Sequence, residues 1–279
     1  MNSVVNSVGH NSIFNSTIDK LAAILRRDLL TAIRHRSGFL MTMFGVLFEL
    51  AAFYCLSRAI GPGFRPDGIE YFPFLLVGTG LYTFFVMSAQ AFLSAVQEAQ
   101  QTGTLEVLMT TSTAPAELLI LSAISAFAGT LANFAVYVFA GVAVFRAAIH
   151  ANVVSCLVVL ALSLVIALAI GIIAATAQIA IQKGSTVLWL IGSGLWFLSG
   201  AMFPIESLPR PLAFVAHAVP FAYAIDAMRG ALLEGRSVAS MASTLAALAA
   251  FGVVLLVLAL GGLSLSLRRA RQYGTLSQY

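Results

Sequence analysis

The chain has 279 residues, of which 60% are hydrophobic and 9% charged. Domains that fold in water carry about 25% charged residues, so this chain cannot cover a soluble surface, and its solvent is largely lipid. The net charge of +4 arises mainly from clusters near the two ends, at Arg26, Arg27, Arg34 and Arg36 and again at Arg268, Arg269 and Arg271. There is no basic stripe with interleaved aromatics, which argues against nucleic-acid binding.

Residues 1–17 are rich in Asn and Ser, show no period and read as a disordered cytoplasmic tail. Residues 18–36 differ. Ile18, Leu21, Ala22, Leu25, Leu29, Ala32 and Ile33 share one face of a 3.6-residue wheel, with Lys20, Arg27, Thr31 and Arg34 opposite. This predicts an amphipathic helix lying in the headgroup region. A solvated helix packed on a soluble core would show the same pattern, but this one runs straight into an apolar stretch. That stretch begins near Gly38 after a long polar and basic lead, unlike a signal peptide with its short lead and core of about 7–15 residues. No cleavage is expected.

A membrane span needs about 20 mostly apolar residues. Six runs qualify, at 38–60, 72–94, 118–145, 153–180, 185–203 and 244–267. The expected fold is therefore all-α, a polytopic membrane protein of six transmembrane helices, with residues 37–279 forming one membrane domain. Gln182-Lys183-Gly184 separates the fourth and fifth runs and suits a tight turn. Cys55 and Cys156 each lie within an apolar run and read as small buried hydrophobes, not as a disulfide framework or zinc site. With both termini inside, nine basic residues fall on the cytoplasmic side against six outside, and the dense clusters flanking the first and last spans lie inside. That satisfies the positive-inside rule.

Two connections are more elaborate than loops. Residues 95–117 carry Glu98, Glu106 and Glu117 and no Lys or Arg. An acidic cytoplasmic connection breaks the usual bias and suggests a surface on which another protein docks; a plain solvated hairpin is the alternative. Residues 95–101 can prolong the second span, Gly103 can end it, and Thr104 can cap a short helix through Leu108. Residues 204–243 contain Pro204, Pro209, Pro211 and Pro220, then a helical stretch from Tyr223. The apolar part is interrupted by Glu206, Arg210 and His217. It is too broken to span and reads as an outer re-entrant or interfacial helical hairpin, shielded by protein or water.

No G-x-x-x-x-G-K-[ST] phosphate cradle occurs; Lys183-Gly184-Ser185-Thr186 has the wrong order. His10, His35, His150 and His217 are scattered, and neither H-E-x-x-H nor G-x-S-x-G is present, so an intramembrane enzyme finds little support. An ion-driven secondary transporter would place several ionisable groups at mid-membrane. The spans hold one, Glu49. It either lines a polar pathway or is a protonated acid hydrogen-bonded between helices. Trp189 and Trp196 are seven residues apart and share a face of the fifth span, while Phe84, Phe85 and Phe92 crowd the second. Aromatics so placed either pack helices and anchor interfaces or touch substrate.

Three segments together resemble the permeases of the ABC type-2 exporter family, which move drugs, lipids or lipid-linked polysaccharides. Glu98 followed by Gly103-Thr104-Leu105-Glu106-x-Leu108 is similar to the family's cytoplasmic coupling segment. Phe203-Pro204, Leu208-Pro209 and Pro220-Phe221-x-Tyr223-x5-Arg229 are similar to its outer signature. The amphipathic helix ahead of the first span is the third. The resemblance covers nearly everything after the tail. It implies a pair of permease chains, expected to be a homodimer, in the plasma or bacterial inner membrane. Two ABC ATPase subunits would dock on the cytoplasmic side. ATP and Mg would bind the partner subunit, with no cofactor on this chain. It also implies that the second and fifth spans line the route, which makes Phe85, Trp189 and Trp196 candidate pathway residues beside Glu49 of the first span. The outer hairpin would gate or shape the exit.

Overall fold

The computed structural model describes residues 36–101 and 115–273. The tail, the amphipathic helix over 18–35 and the coupling residues Gly103, Thr104, Leu105, Glu106 and Leu108 lie outside the described residues.

Among the described residues the chain is helical, without strands. In order come α1 (Arg36–Ile60), α2 (Tyr71–Gln101), α3 (Pro115–Phe145), α4 (Val153–Ile181), α5 (Gly184–Leu198), α6 (Arg210–His217), α7 (Pro220–Leu232) and α8 (Ala242–Tyr273). Single 3-10 turns at Pro66–Gly68, Ile205–Ser207 and Ala239–Met241 precede α2, α6 and α8. The stretches Met41–Ile60, Tyr71–Glu98, Val153–Ile181 and Ala239–Ser266 are each long and apolar enough to cross a membrane, and α6 with α7 makes a fifth if that bent pair is taken as one span. The two other predicted runs correspond to shorter apolar helices over the described residues, Gly129–Phe145 within α3 and Gly184–Leu198.

The fifth run is the clearest departure from expectation. It should reach Phe203, but α5 stops at Leu198 after 15 residues, about 22 Å at 1.5 Å per residue. Ser199 and Gly200 make the turn. Ser199 Oγ donates back to Trp196 O at 3.0 Å and accepts from Ala201 N at 3.3 Å. Gly200 then takes φ +71, which turns the chain away from the helix axis. Hydropathy counts residues 199–203 as apolar but does not register this break.

α2 is the axis of the bundle: 78% of its membrane-length window is buried, against 6% for α1. It packs on α3 and α4, and α4 packs in turn along α8. Small residues allow these approaches. A Cβ on Gly171 would lie 2.9 Å from Phe92 Cβ, and one on Gly80 would lie 2.9 Å from the Tyr137 ring. α1 is peripheral, joined to α2 and α3 through Val46, Leu50, Phe72, Leu76, Tyr137 and Ala140.

Residues 204–243 fold, as expected, into a bent pair of short helices. α6 and α7 meet at a bend of 78°. α7 begins at Pro220, three residues earlier than the predicted helical stretch, because proline at the first helical position lacks only an N–H that would be unbonded anyway. Its residues are buried along most of its length against α2, α4 and α8. α6 keeps Leu212, Phe214 and Val215 exposed. At the opposite end of the bundle, Gln182 adopts φ 55 and closes the tight turn between α4 and α5.

Candidate functional site

Along α2 and α5 runs an open groove of about 870 Å3, lined by Tyr82, Val86 and Gln90 on one side and Ser185, Leu188, Trp189, Ser193 and Trp196 on the other. The wall is built by helical period: Trp189, Ser193 and Trp196 recur at spacings of four and three and share a face of α5. Trp189 is 70% exposed and Trp196 42%. Tyr82 Oη donates to Gly192 O at 2.6 Å and pins α5 to α2 midway. At the end of the groove Gln97 ties three helices together, donating to Gln178 Oε1 of α4 at 3.4 Å and to Ser185 Oγ of α5 at 3.1 Å. Glu98, the first of the expected coupling residues, is exposed one residue further along α2. Phe85 does not join the groove. It is buried, with its ring 4.2 Å from Phe221 of α7, and belongs to the core between α2 and the hairpin.

The proline-rich signature residues occupy the other end of α5. Phe203 packs edge-on against Phe197 at 5.2 Å. Pro204 O accepts from Ser207 Oγ at 2.6 Å, closing the 3-10 turn. Pro209 O accepts from Leu212 N and Ala213 N and so starts α6. The Tyr223 ring packs at a tilt against Phe251 of α8, with centroids 5.6 Å apart. Arg229 is 7% exposed. Its Nη2 donates to Gly200 O at 2.9 Å, Ala201 O at 3.1 Å and Phe74 O at 3.2 Å, and its guanidinium carbon sits 3.3 Å from the Phe74 ring centroid. Gly78 makes room for this knot: a Cβ there would lie 2.5 Å from Arg229 Nη2 and 2.9 Å from Ala201 Cα. Arg229 thus satisfies the carbonyls left over where α5 breaks and locks the break to α2 and α7. It also borders a pocket of about 240 Å3 that includes Asp67, Glu206, His217 and Asp226.

Glu49 lies apart from both regions, in a pocket of about 210 Å3 between α1, α2 and α3. Its Oε1 is 3.4 Å from Tyr137 Oη, which is 3.0 Å from Thr79 Oγ1, and Thr79 donates to Leu75 O at 2.6 Å. The Thr79 hydrogen is committed to Leu75. The single Tyr137 hydrogen then faces two acceptors, and one of those contacts lacks a hydrogen unless Glu49 carries it. Sequence reasoning did not find Tyr82, Gln97, Gln178 or Tyr137; Tyr82, Gln178 and Tyr137 are polar residues within apolar runs, the one signal that could have marked them, whereas Gln97 sits among the polar residues that end α2 and carries no such signal.

Lipid-length apolar helices around α2 and α4, with a buried hairpin at one end and an exposed aromatic groove along one side, define a polytopic integral membrane protein. The family model described as ABC-2 type transporter matches residues 19–233, well over half of the sequence, and the chain belongs to that family. It is accordingly an ABC transporter permease, the membrane component of a transport system. No curated protein matches the chain.

Proposed function

We propose that the chain is the permease of an ABC exporter that moves a lipophilic or lipid-linked cargo (a drug, lipid or polysaccharide) outward across the plasma or bacterial inner membrane. Two copies pair as a homodimer with both termini cytoplasmic, and two separate ABC ATPase subunits supply the force. ATP and Mg bind those subunits. Glu98, Gly103, Thr104, Leu105, Glu106 and Leu108 receive the stroke, and the α6–α7 hairpin shapes the exit.

The groove along α2 and α5 carries this reading. Gln90 and Ser193 stand beside two exposed tryptophans within the apolar stretches of α2 and α5. Polar side chains facing hydrocarbon are costly, whereas facing a second copy across a shared cavity they are not. Indole rings with adjacent amide and hydroxyl groups suit a cargo that is apolar over most of its length. The very apolar spans point the same way.

The test is reconstitution with the cognate ATP-binding subunit in vesicles whose cytoplasmic face is outward. A fluorescent lipophilic probe is expected to accumulate with ATP and Mg, and not with a proton or sodium gradient alone. Accumulation driven by the gradient without nucleotide would replace this reading with an ion-coupled carrier.

A further inference from the structure

The ends of α1 and α3 and the start of α2 enclose a pocket of about 540 Å3, separate from the groove and from the hairpin pocket, and within the roughly 300–1,000 Å3 typical of small-molecule sites. Arg58, Arg65 and Arg146 line it, with Glu70. Arg65 and Glu70 are 3.9 Å apart. Among the described residues Arg58 and Arg146 make no ion pair, so the pocket holds two guanidinium groups in excess. Below them Tyr54, Phe72 and Phe145 form a mutually packed trio, with ring centroids 5.4 to 5.5 Å apart. Arg58 lies one helical turn beyond Tyr54 on the same face of α1.

Arg146 adds an independent observation. α3 ends in a left-handed turn, with Arg146 at φ 54, its N–H bonded to Val142 O at 3.0 Å and the Ala147 N–H to Gly141 O at 3.3 Å. The five-to-one closure made by the Arg146 N–H normally takes glycine at this position, because a Cβ there is strained. Here the position carries an arginine instead, and its side chain lines the pocket. Strain kept at a charged residue in a pocket points to a use for the side chain.

We propose that this pocket binds the phosphate headgroup of an anionic phospholipid in the leaflet at the hairpin end of the bundle. Guanidinium groups chelate phosphate oxygens in a bidentate fashion. Aromatic rings at the ends of spans lie at headgroup depth, and Leu56 and Ile60 of α1 are exposed beside the pocket for acyl chains. The excess positive charge selects an anionic headgroup over a zwitterionic one. The site does not depend on the transport reading and holds whichever cargo is moved.

The test uses the full chain in neutral detergent, with native mass spectrometry and thermal unfolding titrated by phosphatidylglycerol or phosphatidylcholine. The wild-type chain is expected to bind and be stabilised by phosphatidylglycerol selectively. R58A should weaken that binding about fivefold and R58A/R146G about thirtyfold, at about 1 kcal/mol for each arginine near a lipid surface. R146G removes the strained Cβ, so without lipid it should unfold at or above the wild-type midpoint; this separates loss of the site from loss of the fold. R210A, on α6 and outside the pocket, should bind as wild type. Equal binding of both lipids, or wild-type selectivity in R58A/R146G, would overturn the proposal. So would displacement of phosphatidylglycerol by millimolar inorganic phosphate, which would assign the pocket to a free anion.

Discussion

Removing Arg229 should unlock the hairpin end of the bundle. In R229A, Gly200 O, Ala201 O and Phe74 O lose their shared donor and the Phe74 ring loses its cation. A hydrogen bond to a charged group is worth about 1.5–3 kcal/mol, and a buried acceptor left without a donor costs about 1–3 kcal/mol. The desolvated cation–π contact adds about 2 kcal/mol. One nitrogen serves all three carbonyls, so these contributions do not sum. The expected loss is about 3–5 kcal/mol, from the stranded carbonyls and the lost ring contact together. For a chain of this size that is a fall of about 10 °C in unfolding midpoint. R229K keeps the charge without the plane that stacks on Phe74 and should fall in between. The assay is thermal unfolding in mild detergent, read by size-exclusion chromatography, together with thiol labelling of Met202→Cys. Met202 is half-buried beside the break, and its carbonyl accepts from Tyr71 Oη at 3.2 Å. Labelling should quicken at least tenfold in the R229A background. A wild-type midpoint with unchanged labelling in R229A would refute the assignment of Arg229 as the lock.

Gly78→Ala should destabilise through the same knot, by about 1–3 kcal/mol for overpacking, because the new methyl meets the Ala201 backbone and Arg229 Nη2; its midpoint, measured as above, should fall by several degrees. Trp189→Cys, with Cys55 and Cys156 replaced by alanine, should cross-link two copies under mild oxidation in membranes, whereas Val257→Cys on exposed α8 should not; dimer bands of equal strength would remove the α2–α5 groove from the interface. Glu106→Arg should abolish ATP-driven transport while membrane levels stay normal, measured by vesicle uptake beside quantitative blotting. The purified chain alone should hydrolyse no ATP, and phosphate release should begin only when the ATP-binding subunit is added.

The sequence by itself determined the helical membrane class, most of the helix ends and the hairpin. These features are local: a run of apolar side chains fixes a lipid-length helix, and Pro204, Pro209 and Pro220 punctuate the chain wherever it goes. The boundaries at Ile60, Phe145 and Val153 were legible for that reason, and the aromatic face of α5 followed from the spacing of Trp189 and Trp196. Tertiary structure alone decided which faces meet. Nothing local distinguishes Phe85, turned inward onto Phe221, from an aromatic facing the groove. Arg229 could be recognised as part of a signature, but its carbonyl partners lie 28, 29 and 155 residues away, and only packing brings them within reach. The early end of α5 has the same origin, because Ser199 and Gly200 can break an apolar run only where a buried guanidinium takes up the freed carbonyls. Hydropathy along the chain records how each residue partitions into lipid; which residues meet inside the bundle is set by how the helices pack in three dimensions.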